Sequence, residues 1–85
     1  MKQIIMYKTT WCGDCKRSEK FLRDNDVQYK EVNIDEDREA AGLVEKLNGG
    51  YRSVPTIVFP NGKVLIEPSN QALAEALQEN FMLPN

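Results

Sequence analysis

At 85 residues the chain has room for one domain, and a domain this small buries only about 60–65% of the surface its unfolded form exposes, so a compact, regular architecture is required. A net charge of −2 and a pI near 5.1 give no long-range attraction for nucleic acid or anionic membranes. No apolar run approaches the roughly 20 residues of a membrane span, and Met1-Lys2-Gln3 lacks the apolar region of a secretory leader, so a cytoplasmic monomer with a single domain over residues 1–85 is expected.

Ile4 to Tyr7 is a short apolar run and reads as a strand, with Thr9 and Thr10 in the loop after it. From Gly13 to Asn25 the pattern turns helical. Cys15, Ser18, Phe21, Leu22 and Asn25 share one face, and Lys16, Arg17, Glu19, Lys20 and Arg23 lie elsewhere. Asn25-Asp26 signals a turn. Val27 to Ile34 predicts a second strand, with Val27 and Tyr29 on one face and Val32 and Ile34 on the other, as in a sheet covered on both sides.

Asp35 is a candidate N-cap for a second helix. Its core stripe is Ala40, Leu43, Val44 and Leu47, and Asn48-Gly49-Gly50 stops it. Thr56 to Phe59 and Lys63 to Glu67 predict a hairpin around Pro60-Asn61-Gly62. Ser69 can cap a third helix that runs to about Asn80 with Leu73, Ala76 and Leu77 inward. The order is β-α-β-α-β-β-α, with a right-handed βαβ unit, an added antiparallel hairpin and helices on both faces. This is the arrangement of a minimal thioredoxin fold, an α/β protein with a four-stranded mixed sheet.

Cys12-Gly13-Asp14-Cys15 sits where the first strand gives way to the first helix, and these are the only two cysteines. With Cys12 at the N-cap, its sulfur lies beside unpaired backbone N–H groups, those of Asp14 and Cys15. The helix dipole is positive there and favours a thiolate. Cys15 lies one turn further in, on the buried side. The outer sulfur is therefore the attacking one and the inner sulfur resolves the mixed disulfide. Lys8 and Lys16 are nearby cations that add to the stabilisation, while Asp14 opposes it. Zinc needs four ligands, and with no histidine in the chain it would require two chains sharing their thiolates. A static disulfide would close a very small loop that constrains the unfolded chain little.

Tyr7-Lys8-Thr9-Thr10-Trp11-Cys12-Gly13-Asp14-Cys15 resembles the active-site stretch of the glutaredoxin family, including the lysine four residues before the first cysteine. Arg52-Ser53-Val54-Pro55-Thr56 is similar to that family's TVP segment. The resemblance implies a cis bond at Pro55 and backbone hydrogen bonds from Val54 to a bound thiol or peptide. It departs from the common pattern in two places. Gly13-Asp14 stands where Pro-Tyr is usual, and Ile66-Glu67-Pro68-Ser69-Asn70 stands where a Gly-Gly motif helps hold glutathione. Asn48 to Thr56 together with Pro68-Ser69 is closer to the mycoredoxins, which use mycothiol.

The resemblance implies Cys12 and Cys15 as catalytic residues, and Lys8, Trp11, Arg52, Val54, Pro55, Ser69 and Asn70 as the surroundings of the bound thiol. Each of several has a plainer reading. Arg52 can be a solvated loop cation, Ser69 a helix cap, Trp11 a rim residue, and Pro55 an ordinary strand-start proline. The implied activity is disulfide exchange on protein or mixed disulfides. No cofactor is bound, and mycothiol or glutathione serves as co-substrate, or a flavin reductase supplies electrons. A donor to ribonucleotide reductase is the alternative within this chemistry. An iron–sulfur carrier sharing a cluster between two subunits is the alternative outside it, and Cys15 competes with that role by closing a disulfide.

Overall fold

The computed structural model describes residues 3–83, so Met1 and Lys2 of the Met1-Lys2-Gln3 stretch lie outside the described residues. Its elements are β1 (Ile4–Lys8), α1 (Gly13–Asp24), β2 (Tyr29–Asn33), α2 (Arg38–Leu47), β3 (Thr56–Val58), β4 (Val64–Ile66) and α3 (Asn70–Glu79). The strands form one mixed sheet in the order β2-β1-β3-β4. β1 runs parallel to β2, with Ile4 opposite Tyr29, and antiparallel to β3, with Tyr7 opposite Thr56. β4 pairs antiparallel with β3. This is the expected thioredoxin fold. Among the described residues no helix is long and apolar enough to cross a membrane.

Strand periodicity divides the core in two. Ile4 and Met6 of β1 point to one face and pack with Leu22 of α1, Ile57 and Phe59 of the hairpin, and Leu73 and Leu77 of α3. Tyr7 points to the opposite face and packs with Ile34 and with Ala40, Ala41 and Val44 of α2. Lys8 has the parity of Ile4 and Met6, which directs it beneath α1.

Four sequence expectations change in detail. β2 is shorter than predicted, because Val27 and Ile34 lie outside the ladder, yet both stay on their expected faces. The hairpin strands also stop early; Phe59 has left β3 but remains fully buried. The cap of α2 is Asp37, not Asp35: Asp37 accepts from the Ala40 amide at 3.0 Å. The Asn33 side chain explains the delay, since its Oδ1 accepts from the Asp35 amide at 2.9 Å and turns the chain first. That phase buries Ala40, Ala41 and Val44 and leaves Leu43 and Leu47 at 40% and 39% exposure, so the leucines of this helix border the core rather than form it.

Phe59→Ala is expected to cost about 3–5 kcal/mol of unfolding free energy, and Leu43→Ala no more than about 1 kcal/mol. Denaturant midpoints of the two variants check this. Equal losses would contradict the division between core and border.

Candidate active site

The first turn of α1 is built by Cys12 itself. It takes the extended N-cap conformation, and its Sγ accepts from the Cys15 amide at 3.0 Å. One of the orphan donors of the helix start thus points at sulfur, at the positive end of the helix dipole. Across the sequence, the Val54–Pro55 bond is cis, and the Val54 carbonyl oxygen lies 3.7 Å from Cys12 Sγ, close enough for the thiol to donate to it. The two separated motifs therefore meet at one sulfur.

Both cysteines are free thiols. Cys12 is enclosed apart from 6% of its surface, and Cys15 is wholly buried. Burial, above all, pushes the Cys15 thiol up to about 12, and the hydrogen bond to Cys12 and the charges of Cys12 and Glu19 act the same way, while a Thr9 backbone hydrogen bond opposes them. Cys15 is therefore a neutral thiol over the physiological range.

The surrounding residues divide. Trp11 is 71% exposed at the rim, and its Nε1 donates to Asp35 Oδ2 at 3.1 Å. Asp35 thus borders the site rather than capping α2. A polar groove lined by Asp35, Glu36, Arg38 and Arg52 begins there. Ser69 is a helix cap, accepting from the Ala72 amide at 3.1 Å. Asn70 and the Pro68 carbonyl both accept from the Arg17 guanidinium, which also pairs with Asp14 at 2.9 Å. Arg17 thereby ties the first turns of α1 to the start of α3. Its i,i+3 pairing with Asp14 is visible in the sequence, but its partners more than fifty residues away are not.

Lys8 and Arg52 each have carboxylate partners that the sequence does not show. The Nζ of Lys8, expected as a cation near the thiols, lies 3.0 Å from Glu19 and 3.7 Å from Glu31. Burial acts to lower its pKa, but the close contact with Glu19 and the charges of Glu19, Glu31 and Cys15 outweigh that and raise it. Arg52 is an exposed loop cation paired with Glu45. Glu19, read as part of the charged face of α1, is 6% exposed. Only the parity of Lys8 in β1 points to a cation waiting for it.

A dithiol at the start of a helix, behind the central strand of a mixed four-stranded sheet and facing a cis-proline segment, defines a thioredoxin-like redox protein. The chain belongs to the glutaredoxin family, whose model matches residues 4–65. It is 44% identical over 66 residues to a Mycobacterium tuberculosis protein described as a glutaredoxin, covering 78% of this chain and 79% of that one. It is 32% identical over 68 residues to mycoredoxin 1 of Corynebacterium glutamicum, covering 80% and 84%. The crystal structure of a glutaredoxin from Archaeoglobus fulgidus superposes with a TM-score of 0.79 at 26% identity, covering 92% of this chain and 88% of that one.

Two measurements follow from the raised Cys15 thiol. Iodoacetamide at about pH 7.5 is expected to modify Cys12 alone in the reduced native protein, and to react at least about a hundredfold more slowly with Cys12→Ser. Prompt double modification would show that Cys15 is accessible. The second concerns stability. A thiol raised in the fold stabilises it below the unfolded value of about 8.5, and this contribution is lost as pH rises towards the folded value. The reduced protein should lose stability between about pH 8.5 and 10 more steeply than Cys15→Ala, in a window below the onset of the raised Tyr7, Tyr29 and Lys8 titrations. Identical slopes would contradict it.

Proposed function

We propose that the protein is a dithiol–disulfide oxidoreductase acting on protein disulfides or mixed disulfides. The observation that carries this reading is the Cys12 sulfur, bonded to the Cys15 amide at 3.0 Å and backed by a buried second thiol. The Cys12 thiolate attacks one sulfur of a substrate disulfide and releases the other half as a thiolate, which takes up a proton. Cys15 then attacks Cys12 Sγ, the Cys12–Cys15 bond forms, and the second half leaves. The substrate disulfide is reduced to two thiols and the protein is oxidised. The Val54 carbonyl beside the sulfur suits backbone pairing with an extended ligand.

The electron source in this reading is a sugar-linked thiol such as mycothiol, or a flavin reductase, in preference to glutathione. Four features support that. The amide that a ligand carboxylate would seek at the start of α3 is already bonded to Ser69 Oγ. The Arg17 guanidinium is already committed to Asp14, Asn70 and the Pro68 carbonyl. Glu67 adds negative charge beside them, and the groove next to Trp11 carries both signs of charge, which suits a neutral, hydroxyl-rich ligand.

Cys12→Ser is expected to abolish disulfide reduction, and Cys15→Ser to accumulate a mixed disulfide visible by mass spectrometry. Activity of Cys12→Ser near the parent level would overturn the reading. On one mixed-disulfide substrate, turnover with mycothiol or with a flavin reductase should exceed turnover with glutathione and its reductase. Equal rates would remove the preference and leave the dithiol chemistry intact.

A further inference from the structure

The exchange chemistry leaves one buried titratable cluster unused. Glu19 lies one turn beyond Cys15 on the enclosed face of α1 and is 6% exposed. A carboxylate there is costly unless it is paired. Lys8 supplies the opposite charge from β1, with Nζ 3.0 Å from Glu19 Oε2. Beyond this ion pair the enclosed Oε2 has no hydrogen-bond partner among the described residues. From β2, the Tyr29 hydroxyl lies 3.5 Å from Glu19 Oε1 and 3.2 Å from Glu31 Oε1. Glu31 is half exposed and, with Tyr29, lines an open surface cleft. The cluster therefore runs from beneath Cys15 out to solvent.

An apolar pair of similar volume often fills such a place without loss of stability. Here the charges lie under a thiol that must lose a proton before it attacks. Burial raises the Cys15 thiol above its ordinary value, so solvent alone generates little thiolate near neutral pH. Cys15 and Glu19 share the buried face of α1 at i and i+4, where Cβ atoms lie about 5–6 Å apart.

We propose that Glu19, seated by Lys8, is the acid–base partner of Cys15, an assignment that rests on the dithiol reading above. In the resolving step the Cys15 proton passes to the Glu19 carboxylate as the Cys15 sulfur bonds to Cys12 Sγ. The bond from Cys12 to the substrate sulfur breaks, and that sulfur leaves with the electron pair. The proton then passes to the departing thiolate or, by way of Tyr29 and Glu31, to solvent. When the disulfide is reduced again, protonated Glu19 returns a proton to Cys15. The charged and titratable groups facing Glu19 are Lys8 from β1, Tyr29 and Glu31 from β2, and the two thiols of α1, with Arg23 beside Tyr29. α3 presents apolar Leu73, Ala76 and Leu77 to this side of the sheet.

The test follows the Cys12 adduct of thionitrobenzoate in the parent, Glu19→Gln and Glu19→Asp. Release of the coloured thiolate reports resolution. Attack by Cys12 is timed separately in the Cys15→Ser background, with and without Glu19→Gln. The parent is expected to resolve at a rate that is level between about pH 7 and 9. Glu19→Gln should resolve at least about tenfold more slowly at pH 7, with a rate that climbs as pH rises, and Glu19→Asp should recover part of the loss. The ratio of resolution to attack should fall with it. A Glu19→Gln protein with the parent's rate and level profile overturns the proposal. So does a parent rate that rises tenfold per pH unit across that range, a result that does not depend on any variant folding. Failure of the dithiol reading looks different: Cys15→Ser then traps no adduct at all.

Discussion

β1 is hydrogen-bonded to β2 along one edge and to β3 along the other and is covered on both faces, and the rest of the molecule is arranged around it. Its alternation sends Ile4, Met6 and Lys8 towards α1 and α3, and Tyr7 towards α2. The chain leaves it at Thr9 and reaches the first helical turn within a few residues, so the Cys12 sulfur is fixed by the same strand that organises the core. β3, the antiparallel neighbour of β1, follows directly on the cis Val54–Pro55 bond, and that adjacency delivers the Val54 carbonyl to the sulfur. A change that shifted β1 by one residue would turn every one of these side chains to the wrong face.

The polar groups around the thiols are largely satisfied by one another. Arg17 links Asp14, Asn70 and the Pro68 carbonyl; Ser69 serves its own helix; Arg52 is held by Glu45; Lys8 is held by two carboxylates. The contact given to the sulfur from across the fold is a backbone carbonyl, that of Val54.

The readable parts of the sequence were those governed by local chemistry. Cys12 and Ser69 were identifiable as helix caps because a cap needs only a side-chain acceptor three residues before an amide. The two faces of β1 and β2 were readable from alternation alone. Asp35 and Asp37 were not separable, since both are good caps, and the choice was made by the Asn33 side chain. Leu43 and Leu47 were assigned to the core on hydrophobicity, but small Ala40 and Ala41 brought α2 against the sheet instead. Arg17, Lys8 and Arg52 were recognisable as charges, but their partners lie on other elements, and charge pairing across a fold leaves no periodic trace in a sequence. Glu19 was the hardest, because a helical pattern classes any glutamate with the solvent face.

The sparse seal that α2 makes has a dynamic consequence. Its buried residues are two alanines and a valine, and Ile5, Val32 and Val58 beneath it are only partly covered. The opposite face is closed by Leu22, Phe59, Leu73 and Leu77, all fully buried. Local opening free energy follows the apolar area that an element covers. α2 is accordingly the unit that detaches first, and its amide protons exchange with solvent through smaller openings than those of β1. The sulfur and its amide ride on the tightly closed half, whereas Val54, whose carbonyl faces the sulfur, packs against the α2 side, so opening of that helix reaches the site through the carbonyl alone.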